Sequence, residues 1–490
     1  MFKPRPKQQK VIDFTRGKMG VAAVPGSGKT QTLSFLAARL IHDGAIEEGQ
    51  EILVVTLTNS AVGNFQSRID GFIHNFGMIK GIGYRVRTLH GLAHDIVRER
   101  PDLVGLPSQF NIIDEREAGL MLESSVRDWL IANPAVEDRY FLPDQRMKQQ
   151  KKWIDTIIDC CVAFIRTAKD LQMDAFELSG RLSALEIEPL LLRMGCDIYA
   201  DYARKLSLRE GVDFQDLIRF ALVALQTDPE YLKRLRARWP YVLEDEAQDS
   251  SHLQQEILAL LSQDGGNWVR VGDPNQAIFE TFTTADPKLL TQFIERADVQ
   301  EAPLTNAGRS SRKIIDLANH LVDWTCNQHP MEALRDALYE AYIEETPPGD
   351  PQPNPPVDES EIHIYPPSRM INSEQELHVV LHHLGQWFER EEHQHQTAAI
   401  LVPTNYLGEK VTAALQEAQM PYVELLRNTS DTRRTAQQLE AILRALSRPT
   451  DNRLLQKAYD TIRQPKEIPE EDLRAIAEQT SRLLASCKFV

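Results

Sequence analysis

Three shortages shape the reading of this 490-residue sequence: cysteine is scarce, long apolar runs are absent, and positive charge falls short of negative. The five cysteines (Cys160, Cys161, Cys196, Cys326 and Cys487) are odd in number and show no paired metal-ligand spacing. That excludes a zinc or iron–sulfur framework from the expectation and fits a reducing, cytoplasmic setting. Cys160 and Cys161 sit in an apolar helical stretch, where buried, inert thiols are expected. No uncharged run of about eighteen apolar residues occurs, so no membrane-spanning helix is expected. The opening Met1-Phe2-Lys3-Pro4-Arg5 has no apolar core or small-residue cleavage site, so it does not read as a secretory signal. The net charge of −16 argues against a protein that coats nucleic acid nonspecifically. It leaves room for a local basic groove, because the field near a site outweighs net charge.

What is present is the composition of a folded, soluble chain, 42% hydrophobic and 26% charged, long enough for about three domains. Met19–Val24 reads as a short buried strand, followed by a Gly-rich turn and an apolar-periodic helix from Thr30 to about His42. Glu51–Thr56 reads as a second continuous apolar strand, and Tyr241–Leu243 and Trp268–Val271 as two more, each of these two running into polar residues at its C-terminal end. Strands alternating with helices predict a parallel sheet whose ligands sit at the carboxyl ends of the strands. Between about 100 and 210 helical periodicity dominates, which predicts a helical insertion. Six prolines within 346–356 predict an exposed, irregular loop. After it, 361–365 and 398–402 read as strands of another α/β unit, with a helix and strand over 411–426. The histidines at 382, 383, 393 and 395 lack companion ligands and read as solvated helix-face residues.

Ala23-Val24-Pro25-Gly26-Ser27-Gly28-Lys29-Thr30 follows a strand and opens a helix, the setting a phosphate-binding loop needs. Its glycines let backbone N–H groups converge on phosphate oxygens. Lys29 can reach the β- and γ-phosphates of ATP, and the Thr30 hydroxyl can take Mg²⁺. A nucleotide hydrolase also needs a metal-side carboxylate and a base near the attacking water. Glu244-Asp245-Glu246-Ala247-Gln248-Asp249 supplies both after a strand, with Asp245 on the Mg²⁺ side and Glu246 as the base.

Together these segments resemble superfamily 1 DNA helicases of the UvrD/Rep type, and further motifs follow in that family's order. Gln8 resembles the family's adenine-reading glutamine. Thr56-Leu57-Thr58-Asn59 with Ala61, and Thr88-Leu89-His90-Gly91, are similar to segments that touch single-stranded DNA. Asp213–Ile218 resembles the segment that returns the chain from the insertion. Val271–Phe279 is similar to the motif whose glutamine, here Gln276, senses the γ-phosphate, and whose aromatics, here Phe279 and Phe282, stack on bases. Leu304–Ser310 resembles the motif that brings an arginine, here Arg309, to the γ-phosphate; Gln248 belongs to the catalytic set. The chain departs from the family at Gln31, where arginine is usual, and at Ala307-Gly308, where Asn-Tyr is usual.

The resemblance implies an α/β P-loop NTPase with a RecA-like parallel sheet, a helical insertion and an incomplete second RecA-like domain. The expected division is 1–100 and 211–300 for the first motor domain, 101–210 for the insertion, 301–450 for a partial second motor domain, and 451–490 for the helical start of a further insertion. The implied activity is ATP- and Mg²⁺-dependent 3′→5′ movement on single-stranded DNA, or on duplex with a single-stranded tail. No match to the fifth and sixth motifs precedes Val490. The expectation is therefore a truncated or split helicase, or an ATP- and DNA-binding module completed by a protein partner. Rival readings are a P-loop ATP switch that binds no DNA and a small-molecule P-loop kinase.

Overall fold

The computed structural model describes residues 2–134, 136, 146–184, 190–277, 285–362, 371–393, 395–424, 430–448, 451–462 and 480. The chain divides into two compact units, 1–362 and 363–490.

The first unit is organised by a parallel sheet. Its strands are β1 (Lys18–Ala22), β2 (Ile52–Thr56), β3 (Tyr84–Thr88), β6 (Tyr241–Glu244), β7 (Asn267–Gly272) and β8 (Val299–Glu301), in the order β3-β2-β6-β7-β1-β8. β4 (Asn111–Ile112) and β5 (Gly211–Val212) form a separate parallel pair. All five residues of Ile52-Leu-Val-Val-Thr56 are buried, because helices cover both faces of the sheet and leave no room for alternation. One face carries α2 (Lys29–His42) and α3 (Asn59–Asn75), whose Leu33, Leu36, Phe65 and Ile69 join the sheet residues Val54 and Leu243. The other carries α4 (Leu89–Glu99), α9 (Phe214–Thr227) and α10 (His252–Leu261), through Leu92, Ile96, Ala221 and Ile257.

The four strands expected from apolar runs are the four inner ones. The two edges carried no such run. β3 turns Tyr84 and Val86 inward, while Arg85 and Arg87 pair with Glu51 and Asp95 at 2.7 Å each. β8 is three residues long, and two of those are exposed.

Helices α5 (Glu115–Ala132), α6 (Arg146–Asp170), α7 (Ala175–Ser183) and α8 (Leu190–Leu208) pack around their own core of Val126, Ile157, Cys161, Ile165 and Ile198. Of the two adjacent cysteines only Cys161 is buried, and burial pushes its thiol up to about 12. Cys160 is exposed, which corrects the expectation for that residue. Successive helix positions lie about 100° apart, so both cannot face one core.

Lys169 of α6 ties the insertion to the sheet's helices. Its ammonium is 2.5 Å from Asp213 and 2.9 Å from Asp216, and it is almost fully buried. Asp213 also caps α9, accepting from the N–H groups of Gln215 and Asp216, and takes the Tyr202 hydroxyl at 2.8 Å. Burial opposes the charge on Asp213, but Lys169 and these donors hold its carboxyl below the usual range. Asp216 is pushed up by burial and by its like-charged neighbour.

The segment 301–362 packs within the first unit rather than opening another. Ala302 and Leu304 belong to the core beside α2, and Leu304 accepts the Val24 N–H at 3.0 Å. In the second unit the described elements are helices, at Ser373–Phe388, Asn405–Glu417, Ser430–Ser447 and Asn452–Ile462. The strand expected over 398–402 is not formed, and Leu401 is 92% exposed. An apolar run becomes a strand only by pairing, and no described residue pairs with it. Glu361 and Ile362 lie outside any strand, as do 421–424; 363–365, 425 and 426 fall outside the described residues. Among the described residues no helix is long and apolar enough to cross a membrane.

Candidate active site

The phosphate loop leaves the carboxyl end of β1 and enters α2. Ala23 N–H donates to Gly272 O at 2.8 Å, which fastens the loop's start to β7. Gly26 and Gly28 take φ of +77° and +83°, where any Cβ would be strained. Space also forbids one: a Cβ on Gly26 would lie 2.7 Å from Arg309 Cβ, and one on Gly28 2.7 Å from Gln8 Nε2. No side chain caps α2 at Gly28, so its first N–H groups and positive end face the loop. That combination suits an anion.

The carboxylates arrive from β6, two strands away across β7. Lys29 Nζ donates to Glu246 Oε2 at 3.1 Å, and the Thr30 hydroxyl to Asp245 Oδ2 at 3.4 Å. Glu246 stands at φ +55°, a left-handed conformation that a non-glycine residue adopts at a cost of about 1–3 kcal/mol. Gln248 links the group: its amide nitrogen donates to Glu246 at 2.9 Å and Asp249 at 3.2 Å, and its oxygen accepts the Asp273 N–H at 3.0 Å. Glu244 is not part of this set. It forms a fully buried fork with Arg270, at 2.8 and 3.2 Å, and accepts from Ser250.

Asp245 Oδ1 and Asp249 Oδ1 have no hydrogen-bond partner among the described residues. Burial, and then the charge of Glu246, pushes the Asp245 carboxyl up to about 7 and that of Asp249 up to about 6. Carboxylates shifted this far, with unpartnered oxygens beside a lysine, mark a candidate functional site. Thr30 and Asp245 fit Mg²⁺, an oxygen-seeking ion that keeps waters and shares phosphate oxygens. Among the described residues no cluster of three His, Cys, Asp or Glu could hold a metal unaided.

Lys29, Thr30 and Glu246 open onto one cavity of about 720 Å³, lined also by Gln8, Gln276 and Arg309. The Gln8 amide donates to Ser27 O at 2.9 Å and accepts the Arg5 N–H at 2.9 Å, so it braces the phosphate loop. Arg309 is exposed, and its guanidinium has no hydrogen-bond partner among the described residues. Arg5, Gln31, Arg68, Asp350, Pro351 and Gln352 also line the cavity. None of these was singled out as a site residue from the sequence, and Arg5 and Asp350 lie 345 residues apart.

Thr58, Asn59 and His90 share the carboxyl edge of β2 and β3, because Thr56 pairs with Thr88 in register. Thr58 caps α3, accepting the Ala61 N–H at 3.2 Å, and its hydroxyl is also 3.0 Å from Ser60 Oγ. Exposed His90 meets the Phe214 ring edge-on, with centroids 5.8 Å apart. Phe214 is an aromatic face at this edge that the sequence reading passed over. Phe279 and Phe282 lie outside the described residues.

A parallel sheet, a glycine loop opening a helix and two carboxylates beside its lysine and threonine define a P-loop nucleotide-binding α/β protein. The chain belongs to the UvrD/REP helicase N-terminal domain family, whose model matches residues 5–298. It is 24% identical over 481 residues to the ATP-dependent DNA helicase PcrA of Leuconostoc citreum, covering 98% of this chain and 57% of that protein. PcrA of Staphylococcus aureus is 23% identical over 455 residues, covering 92% of this chain and 54% of its own length. PcrA of Staphylococcus epidermidis is 25% identical over 328 residues, or 66% and 40%. The chain spans about half the length of the curated relatives it matches.

Proposed function

We propose that this chain carries the ATP-hydrolysing site of a DNA helicase or translocase of UvrD type, in which hydrolysis drives 3′→5′ movement along single-stranded DNA. The observation that carries the reading is the meeting of Lys29, Thr30, Glu246, Gln276 and Arg309 at one cavity, with Asp245 accepting from the Thr30 hydroxyl. In this reading the β- and γ-phosphates lie on the loop's N–H groups and draw Lys29 away from Glu246. Glu246, steadied by Gln248, then accepts the proton of the attacking water. Arg309 meets the charge on the γ-phosphate. Thr30 and Asp245 would hold Mg²⁺, which neutralises charge across the phosphates when bound. The DNA runs over the β2–β3 edge at Thr58, Asn59 and His90, with Phe279 and Phe282 as stacking faces.

The motif order resembling the UvrD/Rep family and the PcrA relatives support the DNA assignment over a switch that binds ATP alone. The polarity rests on the family resemblance. ATP turnover measured with and without poly-dT tests the reading, together with filter binding of poly-dT. Stimulated turnover and salt-sensitive binding are expected. Turnover indifferent to DNA, with no poly-dT retained, would leave only the ATP switch.

A further inference from the structure

The proline-rich loop was expected to be simply exposed, and its anchoring is the most unexpected feature of the cavity. Arg5 is buried and forks onto Asp350, with Nε–Oδ2 at 2.7 Å and a second contact at 3.2 Å; Asp350 is itself only 4% exposed. The same guanidinium donates to Asn306 O at 3.1 Å. Asn354 donates to Ala307 O and Ser310 O, at 2.5 and 2.9 Å, and accepts from both the backbone and the hydroxyl of Thr346. The loop is thus stapled on both sides of Arg309. Gly308 shows how close the approach is, since a Cβ there would come within 2.3 Å of Gln352 O. The loop backbone fills the space a side chain at 308 would need.

Pro351 and Gln352 line the same cavity as Gln8 and the phosphate loop. Gln8 spends one donor and one acceptor bond inside the protein. The Gln352 side-chain amide makes no hydrogen bond among the described residues, and the turn below it is set by Gln352 N–H donating to Asp350 at 2.9 Å. A free amide offers one donor group and one acceptor side by side. Adenine presents the complementary pair, its N6 amino group beside N7, whereas guanine presents two acceptors there.

We propose that the 346–356 loop is the base-side wall of the nucleotide cavity, with Gln352 selecting adenine over guanine and Pro351 covering the ring. The proposal rests on the nucleotide-site reading above and deepens it. Its test is calorimetric titration of the full chain with ATP, GTP and tripolyphosphate, in the parent and in Gln352→Ala and Asp350→Asn. Gln352 is exposed, so its replacement leaves the packing intact. Gln352→Ala should weaken ATP about fivefold or more and lower the ATP-to-GTP preference by the same factor, with tripolyphosphate unchanged. Asp350→Asn should move both readings the same way by releasing the loop from Arg5. Parental ATP affinity and preference in both variants would overturn the loop's role while leaving the phosphate site standing. Equal losses for ATP and tripolyphosphate would overturn it as well, since a base wall cannot act on a ligand without a base. A parent chain that binds neither ATP nor tripolyphosphate would overturn the nucleotide site itself.

Discussion

Two lysines in this protein each stand against neighbouring carboxylates, and the two groups have opposite characters. Around Lys169 the contacts are short and complete: two carboxylates within 3 Å, a tyrosine hydroxyl, and two backbone N–H groups on Asp213. Around Lys29 they are long and incomplete. The lysine is 3.1 Å from Glu246, Thr30 is 3.4 Å from Asp245, and two carboxylate oxygens have no described partner. Glu246 also holds a strained backbone. A satisfied buried cluster is a joint, because all its energy is spent within the protein. One with unpartnered oxygens and stored strain is tuned to something that comes from outside.

The sharpest separation of the two should come from turnover. Glu246→Gln keeps the shape and the Gln248 contact but cannot take a proton, so ATP hydrolysis should fall by about 10²–10⁴-fold with ATP affinity retained. Single-turnover hydrolysis and equilibrium binding on one preparation check both halves. Parental turnover would move the base to another residue.

Next in size is the joint. Lys169→Met leaves Asp213 and Asp216 buried without their cation, which should cost about 3–5 kcal/mol of folding stability. Denaturant melts should show this with the phosphate cavity still binding nucleotide in the folded fraction. A loss under about 1 kcal/mol would mean that water or Arg219, whose guanidinium is 4.0 Å from Asp216, takes over, and the claimed completeness would fail. Lys29→Ala should behave in reverse. ATP affinity should drop by roughly 100-fold, since charge-assisted bonds to phosphate contribute about 1.5–3 kcal/mol each. Stability should change by less than about 1 kcal/mol, because the partner Glu246 is one-third exposed. Unchanged ATP affinity would sink the phosphate-loop assignment.

The sequence spoke unequally about these regions for a physical reason. The phosphate loop and the β6 carboxylates are each contiguous, because a strand end feeding a tight turn must carry its ligands within a few residues. The inner strands were visible as apolar runs because both faces are buried, while β3 and β8 at the edges lacked that run. The Lys169 joint was half legible: Asp213–Ile218 stood out, but nothing marked a lysine 44 residues earlier as its partner. The loop side of the cavity was illegible, since Arg5 and Asp350 lie 345 residues apart and meet only in the folded chain. Likewise the proline run excluded a helix or strand, yet could not say that Asp350 and Asn354 would dock it. The run at 398–402 reads as a strand and forms none, because no described residue pairs with it.

The mildest effect expected is on the pH dependence of stability without nucleotide or Mg²⁺. Burial first, then Glu246, raises Asp245 to about 7 and Asp249 to about 6, against an ordinary 3.8. Between these limits the folded chain keeps protons that the unfolded chain has released. The stability gained by holding them neutral is therefore present at low pH and is lost as pH rises through about 6 to 7. The slope cannot exceed about 1.4 kcal/mol per pH unit for each proton involved. Asp213 has the opposite sign: held below its ordinary value, it contributes stability above the normal carboxylate range and loses it only in acid. Thermal melts from about pH 5 to 8 should thus show a declining Tm that Asp245→Asn flattens and that Asp213→Asn does not. Mg²⁺ with ATP should raise Tm more at about pH 8 than at about pH 5.5, because a cation needs the ionised carboxylate. A Tm indifferent to Asp245→Asn across this range would mean that the carboxyl is already ionised, and that Lys29 serves as a structural partner like Lys169.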